Sequence, residues 1–254
     1  MTQPLVRAEQ HGATRLLIIE RAEKHNALNP EVIGGLEVAI SEAMADAETR
    51  VVVLAGGGTR AFVAGMDVDA IAGADALEAY RAMRTGQEFF ASIARSPKPT
   101  IAMVQGYALG GGFELALSCD FIVASERARF GFPEITLATF AGWGGTQLAM
   151  ARMHPAFARE MLLSGKHYTA EEARHFGFIN RVVPHEGLLE ETLAFAGLFA
   201  DKAPLALEFA KLATRAAAAP QEAGMLVEAG LYAVNFAQPH AEAAFRNFLA
   251  ARQR

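Results

Sequence analysis

The chain alternates short, wholly apolar runs with longer stretches in which apolar residues recur every three or four positions. The first kind reads as buried strands, the second as helices packed on them. Thr14–Glu20, Val51–Ala55, Thr100–Gln105 and Asp120–Ala124 are the clearest strand-like runs, and Phe178–Val183 is a fifth. Asn29-Pro30-Glu31 opens a helix to about Ala47, with Asn as cap and Pro in the first turn, where its missing N–H costs nothing. Helical patterns follow at Asp75–Ala94, Gly111–Ser118, Ala141–Arg152, Pro155–Leu163 and Thr169–Phe176. Gly56–Arg60 reads as a turn followed by a loop through Gly65, and Ser96-Pro97-Lys98-Pro99 breaks the helix before it. Strand alternating with helix predicts an α/β fold with a mainly parallel sheet. After Glu186 no strand signal remains, and four helical segments are separated by breaks at Asp201, Pro220 and Gln238-Pro239. The pattern therefore predicts an α/β core over residues 1–195 and a helical region over residues 196–254. There is no internal repeat, and only Ala213–Ala219 approaches low complexity.

Composition narrows the function classes. A chain of 254 residues buries roughly 70–75% of its unfolded surface, so it needs no staple to fold. Its 52% hydrophobic content leaves apolar surface to hide, and self-association is the expected outlet. A net charge of −5 argues against a nucleic-acid partner. No uninterrupted apolar stretch reaches the ~18–20 residues of a membrane span. Cys119 is the single cysteine, so no intrachain disulfide forms, which fits a reducing compartment. The first fifteen residues lack a basic start followed by an apolar run. The expected location is cytoplasmic, with no secretion signal and no membrane partner.

Chemistry concentrates in one stretch, residues 100–134. A β-like run ends in glycines at 106, 110, 111 and 112, and a helix follows whose first turn holds Glu114. Glycines allow close approach of backbone to a ligand, and a helix N-terminus offers free N–H groups that favour negative charge. Twenty residues further on, a second carboxylate appears in Phe130-Gly131-Phe132-Pro133-Glu134. Two carboxylates at one site form an acid/base pair. Plainer readings exist for each: Gly110–Gly112 as a tight turn, Glu114 as a helix cap, Glu134 as a solvated turn residue. Against them, Glu114 is flanked by Phe113, Leu115, Ala116 and Leu117, and a carboxylate on a buried helix must be paired or used. An apolar neighbourhood around Glu134 would raise its pKa and suit it to act as an acid.

Other chemistries lack their motifs. The glycine spacing is not G-x-G-x-x-G, no G-K-[ST] is present, and no G-x-S-x-G elbow occurs. The seven histidines form no H-x-x-x-H pair and have only one cysteine to join, so no metal site is expected. Cys119, between a helix end and a buried strand, reads as inert core.

The stretch Thr100–Glu134, with Arg21-Ala22-Glu23-Lys24-His25-Asn26-Ala27-Leu28-Asn29 and Ala61-Phe62-Val63-Ala64-Gly65-Met66-Asp67, resembles the enoyl-CoA hydratase/isomerase (crotonase) family over nearly the whole chain. The resemblance implies a β-spiral core of ββα repeats, with C-terminal helices that mediate trimer or dimer-of-trimers contacts. It implies an acyl-CoA thioester substrate and no separate cofactor. Glu114 would handle water and Glu134 the proton at the substrate α-carbon. The backbone N–H groups of Met66 and Gly111 would hold the thioester oxygen as it becomes an enolate, each worth roughly 3 kcal/mol. Lys24, Ala27, Ala64 and Asp67 would contact substrate beside Met66, as would Gly110 and Gly111, with Phe132 and Trp143 shaping the acyl end. Asp67 also reads as a helix cap. Two glutamates favour water addition or removal over double-bond isomerisation. Thioester hydrolysis, decarboxylation and a non-catalytic RNA-binding relative are the other readings.

Three departures from the family pattern stand out. After Glu134 the family often reads P-x-x-G-G-T-Q-R, whereas this chain has Ala141-Gly142-Trp143-Gly144-Gly145-Thr146-Gln147-Leu148. Trp143, the sole tryptophan, is either ordinary helix packing or a wall of the acyl pocket. Met66 stands where a smaller residue is common. Ala251 falls where many relatives carry a lysine for the CoA phosphate or adenine, which shifts that duty to other basic residues such as Lys24. Phe62, Phe132, Phe140 and Trp143 together suggest a specialised acyl group.

Overall fold

A computed structural model describes residues 4–216, 229–230, 233–234, 236–237 and 239–252. Two sheets organise it. The larger has six strands: β1 (Val6–His11), β2 (Thr14–Ile19), β3 (Val51–Gly56), β5 (Thr100–Val104), β7 (Phe121–Ser125) and β10 (Arg181–Val183), in the order β1-β2-β3-β5-β7-β10. The β1–β2 hairpin is antiparallel, and every other pair in this sheet is parallel. The smaller sheet joins β4 (Ala61–Val63), β6 (Tyr107–Leu109), β8 (Arg129–Gly131) and β9 (Tyr168–Thr169), in that order. Three successive windings, β3-β4-α2, β5-β6-α3 and β7-β8-α4, thus give one strand to each sheet and then a helix. This is the spiral of ββα units that the family resemblance implies.

The helices are α1 (Pro30–Ala45), α2 (Ala76–Ala94), α3 (Gly111–Ser118), α4 (Gly145–Arg152), α5 (Pro155–Ser164), α6 (Ala170–His175), α7 (Leu188–Ala200), α8 (Pro204–Ala216) and α9 (Pro239–Arg252). Their starts follow local chemistry. The Asn29 side chain accepts from Val32 N at 2.9 Å, with Pro30 at the first position. Asp75 and Glu78 form a reciprocal capping box at α2. α1 buries Val32, Ile33, Leu36 and Ile40 in the main core against β2, while α7 lays Phe195, Ala196 and Phe199 on the opposite face of the large sheet. α8 is tied to the core by Lys211, whose Nζ donates to Asp120 Oδ2 at 2.5 Å and to Lys98 O at 2.8 Å.

Several expectations change. The strands β1, β4, β6, β8 and β9 left no mark in the hydrophobic pattern: four of them have two or three residues, and β1 is largely solvent-exposed. The helix expected from Ala141 begins only at Gly145, because Gly144 sits at φ 111° and ends any helical run before it. In Phe178–Val183 only the last three residues pair as a strand. The boundary at residue 195 falls inside α7, and the break at Pro220 lies outside the described residues. Among the described residues no helix is long and apolar enough to cross a membrane.

Candidate active site

The three parallel strands of the small sheet end together, and the segments leaving their C-terminal ends build one cavity. β4 runs into Ala64-Gly65-Met66-Asp67, β6 into Gly110-Gly111, and β8 into a 3₁₀ turn, Pro133–Leu137, that carries Glu134. A fourth wall comes from residues 24–28. Asn26, fully buried at φ 59°, accepts from Arg21 N and donates to Gly57 O and Ala61 O, fixing this segment on β4. Leu28 then bridges Met66: Leu28 N donates to Gly65 O at 2.9 Å and Asp67 N to Leu28 O at 2.7 Å. That alternation spends the carbonyl of Gly65 and the N–H of Asp67 on Leu28 and turns the N–H of Met66 away from it.

The glycines are sterically required. Gly110 sits at φ 52°, a conformation that favours glycine, and a Cβ there would lie 2.7 Å from Glu134 Oε1. A Cβ on Gly112 would lie 2.0 Å from Val63 O. At Gly111 it would lie 2.8 Å from the Trp143 ring and 3.4 Å from Met66 N. The absence of side chains therefore lets the N-terminus of α3 close on Met66, on Glu134 and on Trp143 at once. The N–H of Gly111 is the first in α3 and precedes any intrahelical acceptor.

Glu114 is 2% exposed. Its Oε1 accepts from Trp143 N at 2.8 Å and from Gly145 N at 2.7 Å. It is a capping residue after all, but of α4 rather than of its own helix. The carboxylate meets the first N–H of α4, where the helix dipole favours negative charge. Glu134 is half-buried; the turn that holds it closes through Thr139 N to Glu134 O at 3.2 Å and through Ala138 in a left-handed conformation, φ 57°. Both carboxylates face one cavity of about 310 Å³.

The same cavity is lined by Lys24, Ala27, Ala64, Met66, Asp67, Gly110, Gly111 and Trp143, so these sequence-derived residues come together. Asp67 caps the 3₁₀ turn Val68–Ala70 and pairs with Arg21 at 2.7 Å, both side chains being mostly buried. Burial pushes its carboxyl up, yet the Arg21 and Asp69 N–H hydrogen bonds and the charges of Arg21 and Lys24 outweigh this and hold it below the ordinary carboxylate value. Lys24 lies at the mouth, half-exposed, 3.6 Å from Asp69.

Two aromatic residues do not behave as expected. Phe132 and Phe62 are buried in the main core and line no part of the cavity. The Phe132 ring packs on Phe113 at 4.8 Å, which in turn meets Phe130 and Phe178 at 5.5 and 5.0 Å. Phe140 and Trp143 do line the cavity. Trp143 stands before α4, not in it, 4% exposed, with its Nε1 donating to Ala82 O at 3.1 Å and its ring edge-on to Phe90 at 5.6 Å. It is both core and wall. The sequence reading missed Met83 of α2, Leu137 and Thr139 after Glu134, and Phe245 and Phe248 of α9, which also line the cavity. Phe245 and Phe248 recur at helical spacing, but nothing local tells which distant surface they cover. Cys119 is fully buried, and burial pushes its thiol up to about 12, so it is inert. Among the described residues no group of three metal-ligating side chains forms.

Paired carboxylates, a cluster of backbone N–H groups at a helix start and an apolar recess define a class of protein that does proton chemistry on a substrate able to form an enolate. Comparison with known proteins narrows it. The profile of the enoyl-CoA hydratase/isomerase family matches residues 9–254. The 2,3-dehydroadipyl-CoA hydratase of Escherichia coli K12 is 39% identical over 85% of this chain and 82% of its own length. The crotonyl-CoA hydratase of Syntrophomonas wolfei is 33% identical over 96% of this chain and 95% of its own. An enoyl-CoA hydratase/isomerase crystal structure from Xanthobacter autotrophicus Py2 superposes with a TM-score of 0.88 at 30% identity, covering 99% of this chain and 94% of that one. The chain belongs to the enoyl-CoA hydratase/isomerase family, and it is an enoyl-CoA hydratase-like enzyme of the lyase class.

Proposed function

We propose that the protein adds water across the α,β double bond of a 2-enoyl-CoA, or removes it from the 3-hydroxyacyl-CoA. The observation that carries this reading is the convergence of Glu114, Glu134, Gly111 and Met66 on one cavity. In the hydration direction, Glu114 takes a proton from water as the water oxygen bonds to the β-carbon. The π pair moves to the thioester, and the resulting enolate oxygen is held by the N–H groups of Met66 and Gly111. Glu134 then gives a proton to the α-carbon, and the two carboxyls return to their starting states by exchange with solvent. CoA enters as part of the substrate, with Lys24 at the mouth as its cationic contact.

Much of the cavity lining is apolar and bulky, including Met66, Met83, Leu137, Phe140, Trp143 and Phe245. This supports a substrate whose acyl group fills a shaped apolar recess. Hydration assays over a panel of short, long and aromatic 2-enoyl-CoA esters, with the hydroxyl position identified, test the reading. A shift of the double bond without uptake of water would replace it with isomerisation. For assembly, we propose a trimer or dimer of trimers formed through the region 196–254. Leu205, Phe209 and Leu212 of α8 support it: they recur on one helical face and are 57–61% exposed in the single chain.

A further inference from the structure

The Gly56-Gly57-Gly58 turn takes no part in the chemistry above, yet it delivers Thr59 and Arg60 to a second recess. There Arg60 O accepts from Tyr107 N at 3.0 Å and Gly106 O accepts from Arg129 N at 3.2 Å. Residues 59–60, 105–107 and 127–129 are thereby stacked as neighbouring rungs where the chain passes from the large sheet to the small one. Gly106 makes this possible, since a Cβ there would lie 2.1 Å from Arg60 O. The corner encloses about 200 Å³, lined by Thr59, Arg60, Gln105, Tyr107, Arg127 and Arg129 beside Gly106.

Three arginines line this recess on a chain whose net charge is −5. Arg129 Nη1 donates to Arg127 O at 3.2 Å and Ala128 O at 2.9 Å, which orients its planar fork. Neither Arg129 nor Arg60 has an acidic partner among the described residues. Arg127 pairs with Glu186 at 2.7 Å, but these side chains are 58% and 72% exposed, and such a surface pair contributes little. At the floor, Gln105 spends Nε2 on Gly56 O and Ala61 O, both at 2.7 Å. Its Oε1 is buried without a partner among the described residues, an acceptor that suits a phosphoryl group retaining one proton. Three arginines lining one recess leave positive charge for an anion to balance, and guanidinium forks match the oxygens of a phosphoryl group bidentately.

We propose that this recess is a binding site for a phosphoryl or pyrophosphoryl oxyanion, distinct from the catalytic cavity. The two share no lining residue. They lie at opposite ends of β4, β6 and β8, each three residues long, roughly 10 Å apart through the small sheet.

Calorimetric titration of the intact protein with inorganic pyrophosphate at fixed ionic strength tests the site. The expected result is saturable binding of one equivalent per chain, weakened at least tenfold in Arg129→Gln and in Arg60→Gln, with enoyl-CoA hydration unchanged. Arg60 lies on an exposed turn, so its variant decides the matter even where Arg129→Gln, which loses two carbonyl contacts, fails to fold. Titration without saturation, or equal affinity in the wild type and Arg60→Gln, overturns the proposal. Competition with free CoA identifies the source of the group. Displacement assigns the recess to the phosphates of a CoA bound apart from the substrate, and undisturbed pyrophosphate binding assigns it to a separate phosphorylated small molecule. Failure of the hydratase reading leaves this test intact, because its readout is binding.

Discussion

Replacing Glu114 separates the cap that its side chain provides for α4 from the proton transfer proposed for it. Its Oε1 accepts from Trp143 N and Gly145 N in the buried interior. Glu114→Ala leaves both N–H groups unsatisfied. At roughly 1–3 kcal/mol for each buried orphan donor, the cost is about 2–6 kcal/mol. Loss of a negative charge at the α4 N-terminus adds about 0.3–2 kcal/mol. In a domain of this size 1 kcal/mol moves Tm by about 2–4 °C, so a fall of roughly 5–30 °C is expected. Glu114→Gln keeps an oxygen at the same place and both hydrogen bonds, so its Tm should stay within a few degrees of wild type. It cannot exchange the proton, and kcat should fall by roughly 10²–10⁴. The assay is a thermal melt of both variants, together with the rate of water addition to a short enoyl-CoA ester. If Glu114→Gln melts as low as Glu114→Ala, the capping argument is wrong. If Glu114→Gln turns over near the wild-type rate, Glu114 does not move the proton.

Trp143→Ala should do two things, since the residue is both wall and core: lower stability by about 3–5 kcal/mol and shift relative kcat/KM toward bulkier acyl groups by a factor on the order of 10–200. An unchanged substrate ranking in a destabilised protein would show that the ring only packs. Asp67 has its folded pKa held below the ordinary 3.8. It therefore contributes stability that is present above that value and is lost as pH falls through the folded one. Asp67→Asn should destabilise at neutral pH and progressively less in denaturant melts below about pH 4; a penalty constant across that range would contradict the ion pair with Arg21. Charging the exposed α8 face with Leu205→Glu and Phe209→Glu should lower the mass seen by light scattering to that of one chain, and a wild type that is already monomeric at micromolar concentration would remove the assembly proposal.

Range along the chain separates the legible features from the hidden ones. Asn29 as a cap and the glycine-to-Glu114 spacing are written within a few residues, and both appear in the structure. The buried strands β2, β3, β5 and β7 show as apolar runs because both their faces are covered. The small sheet was invisible because a three-residue strand has no measurable period. Its position nonetheless decides where Met66, Gly111 and Glu134 stand. Phe132 lies outside the cavity because adjacency to Glu134 in sequence does not make a shared face: its ring packs on Phe113 while Glu134 lines the cavity. Phe245 and Phe248 were missed because contact between α9 and the site is non-local, and no single-chain pattern encodes it.

The fit of Trp143 between two helices constrains how this sequence can change. A Cβ on Gly86, in the interior of α2, would lie 2.3–2.5 Å from the indole, and one on Gly111 would lie 2.8 Å from its far edge. A glycine inside a helix costs up to about 1 kcal/mol against alanine, so Gly86 is a local defect retained to make room for a ring that sits 57 positions away. The two sites are therefore epistatic: Gly86→Ala is harmful while Trp143 is present and favourable once it is gone. The shape of the cavity wall in this chain is thus set in part at a helix position that lines no part of the cavity.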